Sequence, residues 1–244
     1  MSNCVRIAGF IVLAAALTAC ADDLAPEVAP ESPSLASERA TISGHVVDAQ
    51  GVAIAGATVA VRASGEHAMT DAAGAFSLDV PANTTLTLSA SAPSMAPTLL
   101  QQLMVSPSAN AAVEISMVTA DHFKQLAAMG HNPAGGVVAV ALKSMSGTGS
   151  LGGATVELTP NLGRVMYPST SDGMTDPDPA MAAAVPGAGS YAWALGVQPH
   201  VTIMELSLHG VAQVEAPYAI DDIIWPGTFT VDAGALTLVT LFTK

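Results

Sequence analysis

Residues 42–51 read Ile-Ser-Gly-His-Val-Val-Asp-Ala-Gln-Gly, and they give the clearest indication of the fold. Its apolar residues alternate with small or polar neighbours. Because successive side chains of a strand point to opposite faces, the alternation predicts a strand with one buried face. Asp48 at the first and Gly51 at the fourth position of Asp-Ala-Gln-Gly suit a type I turn that closes a hairpin. Asp71-Ala-Ala-Gly74 repeats the arrangement, so the sequence predicts two such turns.

Short segments of the same kind recur along the first half of the chain, separated by turn residues. Half of all residues are hydrophobic but only 4% are aromatic, so the core must be built mostly from Ala, Val, Leu, Ile and Met, which favours sheets. The predicted strands are Thr41 to Val47, Ala57 to Ala63, Phe76 to Val80, Leu86 to Ala90, Leu99 to Val105 and Val113 to Val118. Short strands punctuated by turns are typical of a β-sandwich.

The same stretch carries a resemblance to a known family. Ile42-Ser-Gly-His-Val-Val-Asp48, then Gly56-Ala-Thr-Val59 and Thr70-Asp-Ala-Ala-Gly-Ala-Phe76, resemble the carboxypeptidase regulatory-like domain over residues 40–118. The resemblance implies a seven-stranded sandwich of the transthyretin or prealbumin kind, which serves as an accessory module without catalytic residues of its own. It therefore predicts a fold and no chemistry.

A short linker helix is predicted over residues 119–131. Thr119 can cap its first turn and Gly130 can end it. Three apolar residues fall on one face: Phe123, Leu126 and Met129. We expect this face to pack on its own domain, although the same stripe could line a partner's groove.

Residues 132–244 contain a weaker copy of the first unit. Gly153-Ala-Thr-Val-Glu-Leu158 matches Gly56-Ala-Thr-Val-Ala-Val61 at an offset of 97 residues, and Gly189-Ser-Tyr191 matches Gly74-Ala-Phe76 at an offset of 115. The sequence therefore predicts a second, divergent sandwich, and an all-β protein made of two tandem transthyretin-like, Ig-like sandwiches joined by a short helix.

The unequal offsets indicate an insertion of about 18 residues in the second unit, because loops absorb added length cheaply. The loop from Tyr167 to Pro186, rich in Pro, Asp, Gly and Met, is the candidate. At the end of the chain, residues 227–231 and 235–242 predict a last hairpin, with its turn at residues 232–234.

The N-terminus carries a targeting signal. The apolar run Ile7 to Ala19 follows Arg6 and is too short to span a bilayer, which is the layout of a secretory signal. Leu17-Thr-Ala-Cys20 resembles the lipid-attachment box of bacterial lipoproteins, in which the chain is cut before the cysteine and the thiol receives a diacylglyceryl group, with fatty acids such as palmitate completing the anchor. Residues 1–19 are thus the predicted signal peptide. An ordinary cleaved signal would instead leave a free thiol at Cys20.

The resemblance to lipoproteins also bears on location. Ala21 follows the cysteine where an Asp would favour retention in the inner membrane, so the outer membrane is expected, on its periplasmic face or at the cell surface. Residues 20–39 are acidic and contain several prolines, and they have too little bulky apolar content to fold. We expect them to be a flexible tether.

Charge restricts the possible partners. The chain has 7 basic and 20 acidic residues, a net charge of −13, and its Lys and Arg residues are scattered singly. Binding of nucleic acid relies on clustered basic residues, so no nucleic-acid partner is expected. The expected partners are the membrane, through the anchor, and an envelope protein or a glycan.

Candidate metal ligands are few. None of the six histidines has a second ligand at helical or strand spacing, so each is expected to be a surface or turn residue, and a zinc carboxypeptidase site cannot be assembled. Asp172, Asp176 and Asp178 could together hold Ca²⁺, but Asp-Pro pairs are also common in plain turns. No cofactor is expected.

Trp193 and Trp225 could stack on a sugar ring if they are exposed, whereas a lone Trp in a sandwich is usually part of the core. The sequence thus favours a non-enzymatic envelope lipoprotein that acts as a structural or protein-interaction module. The alternatives are a carbohydrate-binding surface module and, less favoured, a metal-dependent enzyme on the second sandwich.

Overall fold

The computed structural model describes residues 38–105, 111–144, 151–160, 163–171, 174–187, 189–200, 202–203, 205–209, 219–220, 223–224 and 228–243. The predicted signal peptide, nearly all of the tether, Cys20, Asp172 and Trp225 lie outside these residues. The unit described below belongs to the segment Ser37–Lys244. Within the described ranges, no helix has the length and apolar character needed to cross a membrane.

All six strands predicted in the first half are present, each within two residues of its predicted ends. The strands are β1 (Arg39–Asp48), β2 (Thr58–Val61), β3 (His67–Met69), β4 (Ala75–Pro81), β5 (Thr84–Ser91), β6 (Thr98–Val105) and β7 (Ala111–Met117). The short strand β3 is the one that the alternation did not predict. In β1, every second residue from Ala40 to Val46 is buried, so the strand has the one buried face that its sequence predicted.

Both Asp-x-x-Gly turns form as predicted. The Gly51 amide donates to the carbonyl of Asp48 at 2.9 Å, and the Gly74 amide donates to the carbonyl of Asp71 at 3.0 Å. Each carboxylate also holds its own turn, since Oδ1 of Asp48 accepts from the amides of Gln50 and Val52. The residues of each turn therefore determine where the chain reverses direction between these strands.

The described residues of the second half form one helix and eleven strands. They are α1 (Ala120–Met129), β8 (Gly136–Ser144), β9 (Thr155–Thr159), β10 (Arg164–Pro168), β11 (Pro177–Asp178), β12 (Gly189–Val197), β13 (Thr202–Ile203), β14 (Glu205–His209), β15 (Ala219–Ile220), β16 (Ile223–Ile224), β17 (Phe229–Thr230) and β18 (Leu236–Thr243). The class is all-β, as predicted, with strands in sandwich-like sheets and one short helix.

Helix α1 begins and ends where the sequence predicted. Oγ1 of Thr119 accepts from the amide of His122 at 3.2 Å, and the Gly130 amide donates to the carbonyl of Ala127 at 3.1 Å. Phe123 and Leu126 are buried in the core, and the helix packs against β12 and β8. The apolar face thus packs on its own molecule, which confirms the favoured of the two readings.

One large sheet runs through both halves of the body. Its strands follow the order β11-β10-β12-β8-β18-β6-β5-β2-β3, and β16 also pairs with β6. The last strand, β18, runs parallel to β8 on one side and to β6 on the other. The two halves predicted as tandem sandwiches are therefore joined by backbone hydrogen bonds as well as by the helix.

The predicted hairpin at the end of the chain is wrong. Strand β17 pairs with β13, whereas residues 236–238 of β18 are flanked by β6 and β8. Both sides of β18 are thus occupied at this point, and no place beside it is left for β17. Alternation along a segment predicts a strand but does not identify its partner, which is why a sequence-adjacent hairpin was expected.

The described strands lie in three layers around two apolar cores. The first layer is the sheet β4-β1-β7, and the large sheet is the second. The pairs β9-β14 and β13-β17 form the third layer over the second half of the large sheet. Strand β8 contributes side chains to both cores, because Val137 and Ala139 face the first core while Val138 and Val140 face the second. Both faces of the large sheet are therefore buried at its centre.

Candidate functional site

A cleft of about 840 Å³ opens beside the first layer, where five segments of the chain meet. We call it the acidic cleft and define it by six of the polar residues that line it: Asp48, Glu114, Ser116, His122, Asp176 and Tyr191. They come from the end of β1, from β7, from α1, from the loop before β11 and from β12. The first and second halves of the body thus both contribute to it.

Strands β1 and β7 place three of these residues. Glu114 and Ser116 lie two positions apart on β7 and so point to the same face of the sheet, opposite to Ile115 in the core. Glu114 is exposed, whereas Ser116 is nine-tenths buried. Asp48 ends the neighbouring strand, and its turn bonds of 2.9 and 2.8 Å hold the carboxylate in place.

Helix α1 and the loop before β11 meet across the cleft. Nε2 of His122 lies 2.7 Å from Oδ1 of Asp176, and the two side chains are 25% and 70% exposed. The contact lacks the direction of a hydrogen bond, so it acts as an ion pair when the imidazole is protonated. Because Asp176 is mostly solvated, we expect this pair to contribute little to stability.

The loop that carries Asp176 is held by backbone contacts. Nε1 of Trp193 donates to the carbonyl of Thr175 at 3.0 Å. Strand β11 pairs with β10, which aligns Asp178 with Tyr167. Oδ1 of Asp178 accepts from the amide of Ala180 at 2.9 Å and so stabilises a turn. These contacts keep Asp176 at the rim of the acidic cleft.

The electrostatic character of the acidic cleft is negative. Three carboxylates line it, and none of the described residues that line it is Lys or Arg. Tyr191 responds to this environment, since burial, and then the negative charge of Glu114, raise the pKa of its phenol above the ordinary value. Chemically, the arrangement offers several acceptors for a cationic group, of which the Asp48 carboxylate is held by its turn.

The structure describes only some of the predicted site residues. Cys20, Asp172 and Trp225 lie outside the described residues, so the lipid attachment stays a prediction, as does the three-carboxylate calcium site. Within the described ranges, no cluster of three or more His, Cys, Asp or Glu is arranged to hold a metal ion. Asp176 lies at the acidic cleft and Asp178 bonds its own turn.

Trp193 is part of the core, as is usual for a lone Trp in a sandwich, so the alternative that it stacks on a sugar ring is wrong. Its side chain is fully buried in the first core, where only Nε1 makes a polar contact, with the Thr175 carbonyl. Strand β12 lies in the middle of the large sheet with both faces covered, and the sequence alone did not show this double coverage. Trp193 thus presents no ring face to a sugar at the surface.

Sequence reasoning missed the acidic cleft as a site. Asp48 was read only as a turn residue, His122 as a surface residue, and Glu114 as part of a strand. The one available signal was Glu114, a single acidic residue within the otherwise uncharged strand Ala111–Met117. Its neighbours in the cleft are brought together only by tertiary packing.

Comparisons with known proteins give one family match. The carboxypeptidase regulatory-like domain matches residues 41–118. A comparison with curated proteins found no match. The match begins inside β1 and ends just after β7, so it covers the first seven strands.

Several solved structures are similar to parts of this chain. A C-terminal interface mutant of a type II cohesin–X-dockerin complex from Acetivibrio cellulolyticus has 21% identity and a TM-score of 0.30, over 34% of this chain and 59% of that one. A streptococcal ancillary pilin has 11% identity and a TM-score of 0.26, over 86% and 63%. The shaft pilin spaA from Lactobacillus rhamnosus GG has 9% identity and a TM-score of 0.24, over 84% and 98%.

This chain spans about three fifths of the length of the cohesin–X-dockerin chain. For the N-terminal part of the body, the family match and the strands agree. Residues 41–118 of this protein match the carboxypeptidase regulatory-like domain.

Proposed function

We propose that this protein is a non-enzymatic lipoprotein of the cell envelope, whose body acts as a structural or protein-interaction module. The observation that carries the proposal is the layered body, in which a regulatory-like domain shares its large sheet with the rest of the chain. The described core positions are filled mainly by aliphatic side chains that build this scaffold. Such a body is suited to presenting surfaces.

The anchor in this proposal is Cys20. Each buried methylene contributes about 0.8 kcal/mol to membrane binding, so two or three acyl chains would hold the protein stably. Residues 20–39 would act as the tether, and Ala21 supports the outer membrane as the location. The partner in this proposal is an envelope protein that the tethered body can reach.

Mass spectrometry of the protein extracted from membranes tests the anchor. We expect a mature chain that begins at Cys20 and carries acyl groups, and we expect Cys20→Ser to leave residues 1–19 uncut or to release the body from the membrane. An unmodified thiol at residue 20, or a chain that keeps residues 1–19 in the wild type, would contradict the proposal.

Site-specific photo-crosslinking in intact cells tests the interaction module. Gln50 at the acidic cleft and Thr85, an exposed residue near the start of β5, are suitable positions. We expect one position to give a discrete protein adduct that the other does not. Elemental analysis of the purified full-length chain is the complementary measurement, because stoichiometric iron, zinc or calcium would favour the metal-dependent alternative.

A further inference from the structure

The first half of the body has an open side, where the edges of two sheets face each other. Strand β3 ends the large sheet and β4 ends the first layer, and each pairs with a described strand on one side only. Between them lies a groove of about 570 Å³, lined by residues 64–67 on the β3 side and 77–79 on the β4 side. An unpaired strand edge can pair with another chain, so proteins usually protect such edges.

The register of β4 shows which of its backbone groups lie on the side of the groove. The Val46 amide on β1 donates to the carbonyl of Gly74, just before β4, at 2.8 Å. Bonded and non-bonded pairs alternate along an antiparallel ladder, so the even-numbered residues of β4 direct their backbone groups to β1. The backbone groups of Ser77 and Asp79 therefore point away from β1, toward the groove that these residues line.

Arg39, the first residue of β1, ties the two walls of the groove together. Its Nη2 donates to the Asp79 carbonyl at 2.7 Å and to Oε1 of Glu66 at 2.9 Å, and its Nε donates to Oδ2 of Asp79 at 2.7 Å. Glu66 directly precedes β3, so one side chain reaches both edges. The bond from Arg39 also lowers the pKa of the Glu66 carboxyl below its ordinary value. The Asp79 carbonyl, which an added strand would need as an acceptor, is thus occupied.

The edge of β4 is complementary to itself. Antiparallel pairing of two β4 strands about Leu78 places Ser77 of each copy opposite Asp79 of the other. The serine hydroxyl can donate to the carboxylate that it faces, and in this register neither Asp79 carboxylate faces the other. The same register requires the Asp79 carbonyl that Arg39 holds. A second copy and the Arg39 side chain therefore compete for one acceptor.

We propose that Arg39 is an autoinhibitory clamp that keeps the edge of β4 closed to strand addition by a second copy of this chain. The side chains of Arg39 and Asp79 are 43% and 62% exposed, and exposed ion pairs are weak. The clamp can therefore open while the body stays folded. The inference does not depend on the lipid anchor, although copies anchored in one membrane would meet more often.

Sedimentation equilibrium of the full-length chain in an uncharged, density-matched detergent tests the clamp. Arg39→Gln removes the charged contacts, and we expect its self-association to be about tenfold tighter than that of the wild type. Arg62→Gln is the matched control, because Arg62 pairs with Asp232 at 2.7 Å, is exposed to a similar degree and does not line the groove. Both variants have the same net charge, so a difference between them cannot come from general repulsion.

Amide hydrogen exchange followed by NMR locates the contact. In the wild type we expect fast exchange at Ser77 and Asp79, and slow exchange at Leu78, whose amide faces β1. In Arg39→Gln, the Ser77 and Asp79 amides should become protected as the protein concentration rises. Thermal unfolding checks that each variant is folded. Arg39→Lys keeps the charge but loses the forked contacts, so it should associate to an intermediate degree, and it replaces Arg39→Gln if that variant does not fold.

Several results would overturn the inference. Arg39→Gln could stay as monomeric as the wild type, it could associate no more than Arg62→Gln, or it could associate without protection of Ser77 and Asp79. Protection of these amides that does not depend on protein concentration would show instead that a segment of the same molecule occupies the edge. Failure of the proposed function is recognised separately, because an unacylated Cys20 or the absence of any crosslinked protein does not alter these measurements.

Discussion

At the scale of single residues, the two Asp-x-x-Gly turns use their glycines differently. Gly51 and Gly74 both have positive φ, 78° and 73°. A Cβ added at Gly51 would meet nothing within 4 Å, whereas one at Gly74 would lie 2.6 Å from the carbonyl oxygen of Val46. Gly74 is thus required both by its backbone conformation and by close packing against β1.

Gly74→Ala should therefore destabilise the protein more than Gly51→Ala. We expect about 1 kcal/mol for Gly51→Ala, from the positive φ alone, and about 3 kcal/mol for Gly74→Ala, because the backbone must also move. Urea unfolding of the two matched variants measures the difference. Equal losses would show that the turn at Gly74 relaxes freely.

Tyr167 is a buried residue whose hydroxyl ties two strands. The Val156 amide on β9 donates to its Oη at 2.6 Å. Tyr167→Phe leaves that amide without this acceptor, so we expect a loss of about 1–3 kcal/mol in urea unfolding. Tyr191→Phe is the control, and a loss as large as that of Tyr167→Phe would contradict this role for the hydroxyl.

The same tyrosines predict sensitivity to alkali. Burial raises the pKa of Tyr167, despite the opposing bond from Val156, and burial and Glu114 raise the pKa of Tyr191. The folded state therefore holds these protons more tightly than the unfolded chain does. The stabilisation that comes from the raised pKa values of the two tyrosines is fully present below about pH 10. It is lost as the pH rises through their pKa values in the folded state. Urea unfolding at pH 9 and 11 should show the loss, and Tyr167→Phe should reduce it.

At the scale of elements, β18 contains an imperfectly satisfied polar group. Thr237 is fully buried and its Oγ1 has no hydrogen-bond partner among the described residues, whereas Oγ1 of the equally buried Thr98 on the adjacent β6 donates to the carbonyl of Ala96 at 3.2 Å. A buried hydroxyl without a partner costs free energy that an apolar isostere avoids.

Thr237→Val should therefore stabilise the protein by about 1 kcal/mol, and Thr98→Val should be neutral or destabilising. The two substitutions are chemically identical and lie on neighbouring strands, so chemical denaturation of the pair isolates the hydrogen bond. Destabilisation of both by the same amount would indicate that Thr237 has a bonding partner after all.

At the scale of the whole molecule, the shared sheet couples the two halves. Strand β18 supplies Leu236 and Leu238 to the first core and Val239 to the second, while its backbone pairs with β6 and β8. Gln101 on β6 adds a bond across the body, since its Nε2 donates to the Thr230 carbonyl at 2.9 Å. Neither half has a complete sheet without this strand.

We therefore expect one cooperative unfolding transition. Far-UV circular dichroism and tryptophan fluorescence should give coincident urea curves, because the shared sheet cannot be lost from one half alone. A chain truncated after Gly234 should lose structure in both halves and expose the edges of β6 and β8 to aggregation. Two separated transitions in the full-length chain would show that the halves fold independently.

The predictability of this fold differs from one residue to another. The strand from Thr41, the Asp71 turn and the Thr119 cap were all predicted, because a few neighbouring residues decide each of them. The burial of both faces of β8 and β12 was not predicted. The run Gly136-Val-Val-Ala-Val-Ala-Leu142 nevertheless has the continuous apolar character of a strand covered on both faces. The acidic cleft was missed because its residues come from five separate segments.

The all-β class, the positions of turns and caps, and the lipid-box resemblance could all be recognised from the sequence, since they depend on backbone preferences and on side chains close together along the chain. The pairing of Leu236 with Thr98 and Val137, the covering of Trp193 on both sides of the sheet, and the contact of His122 with Asp176 follow from long-range packing. The physical reason is that long-range pairing is selected by the burial of complementary faces across the whole body, and one segment's pattern is compatible with many partners.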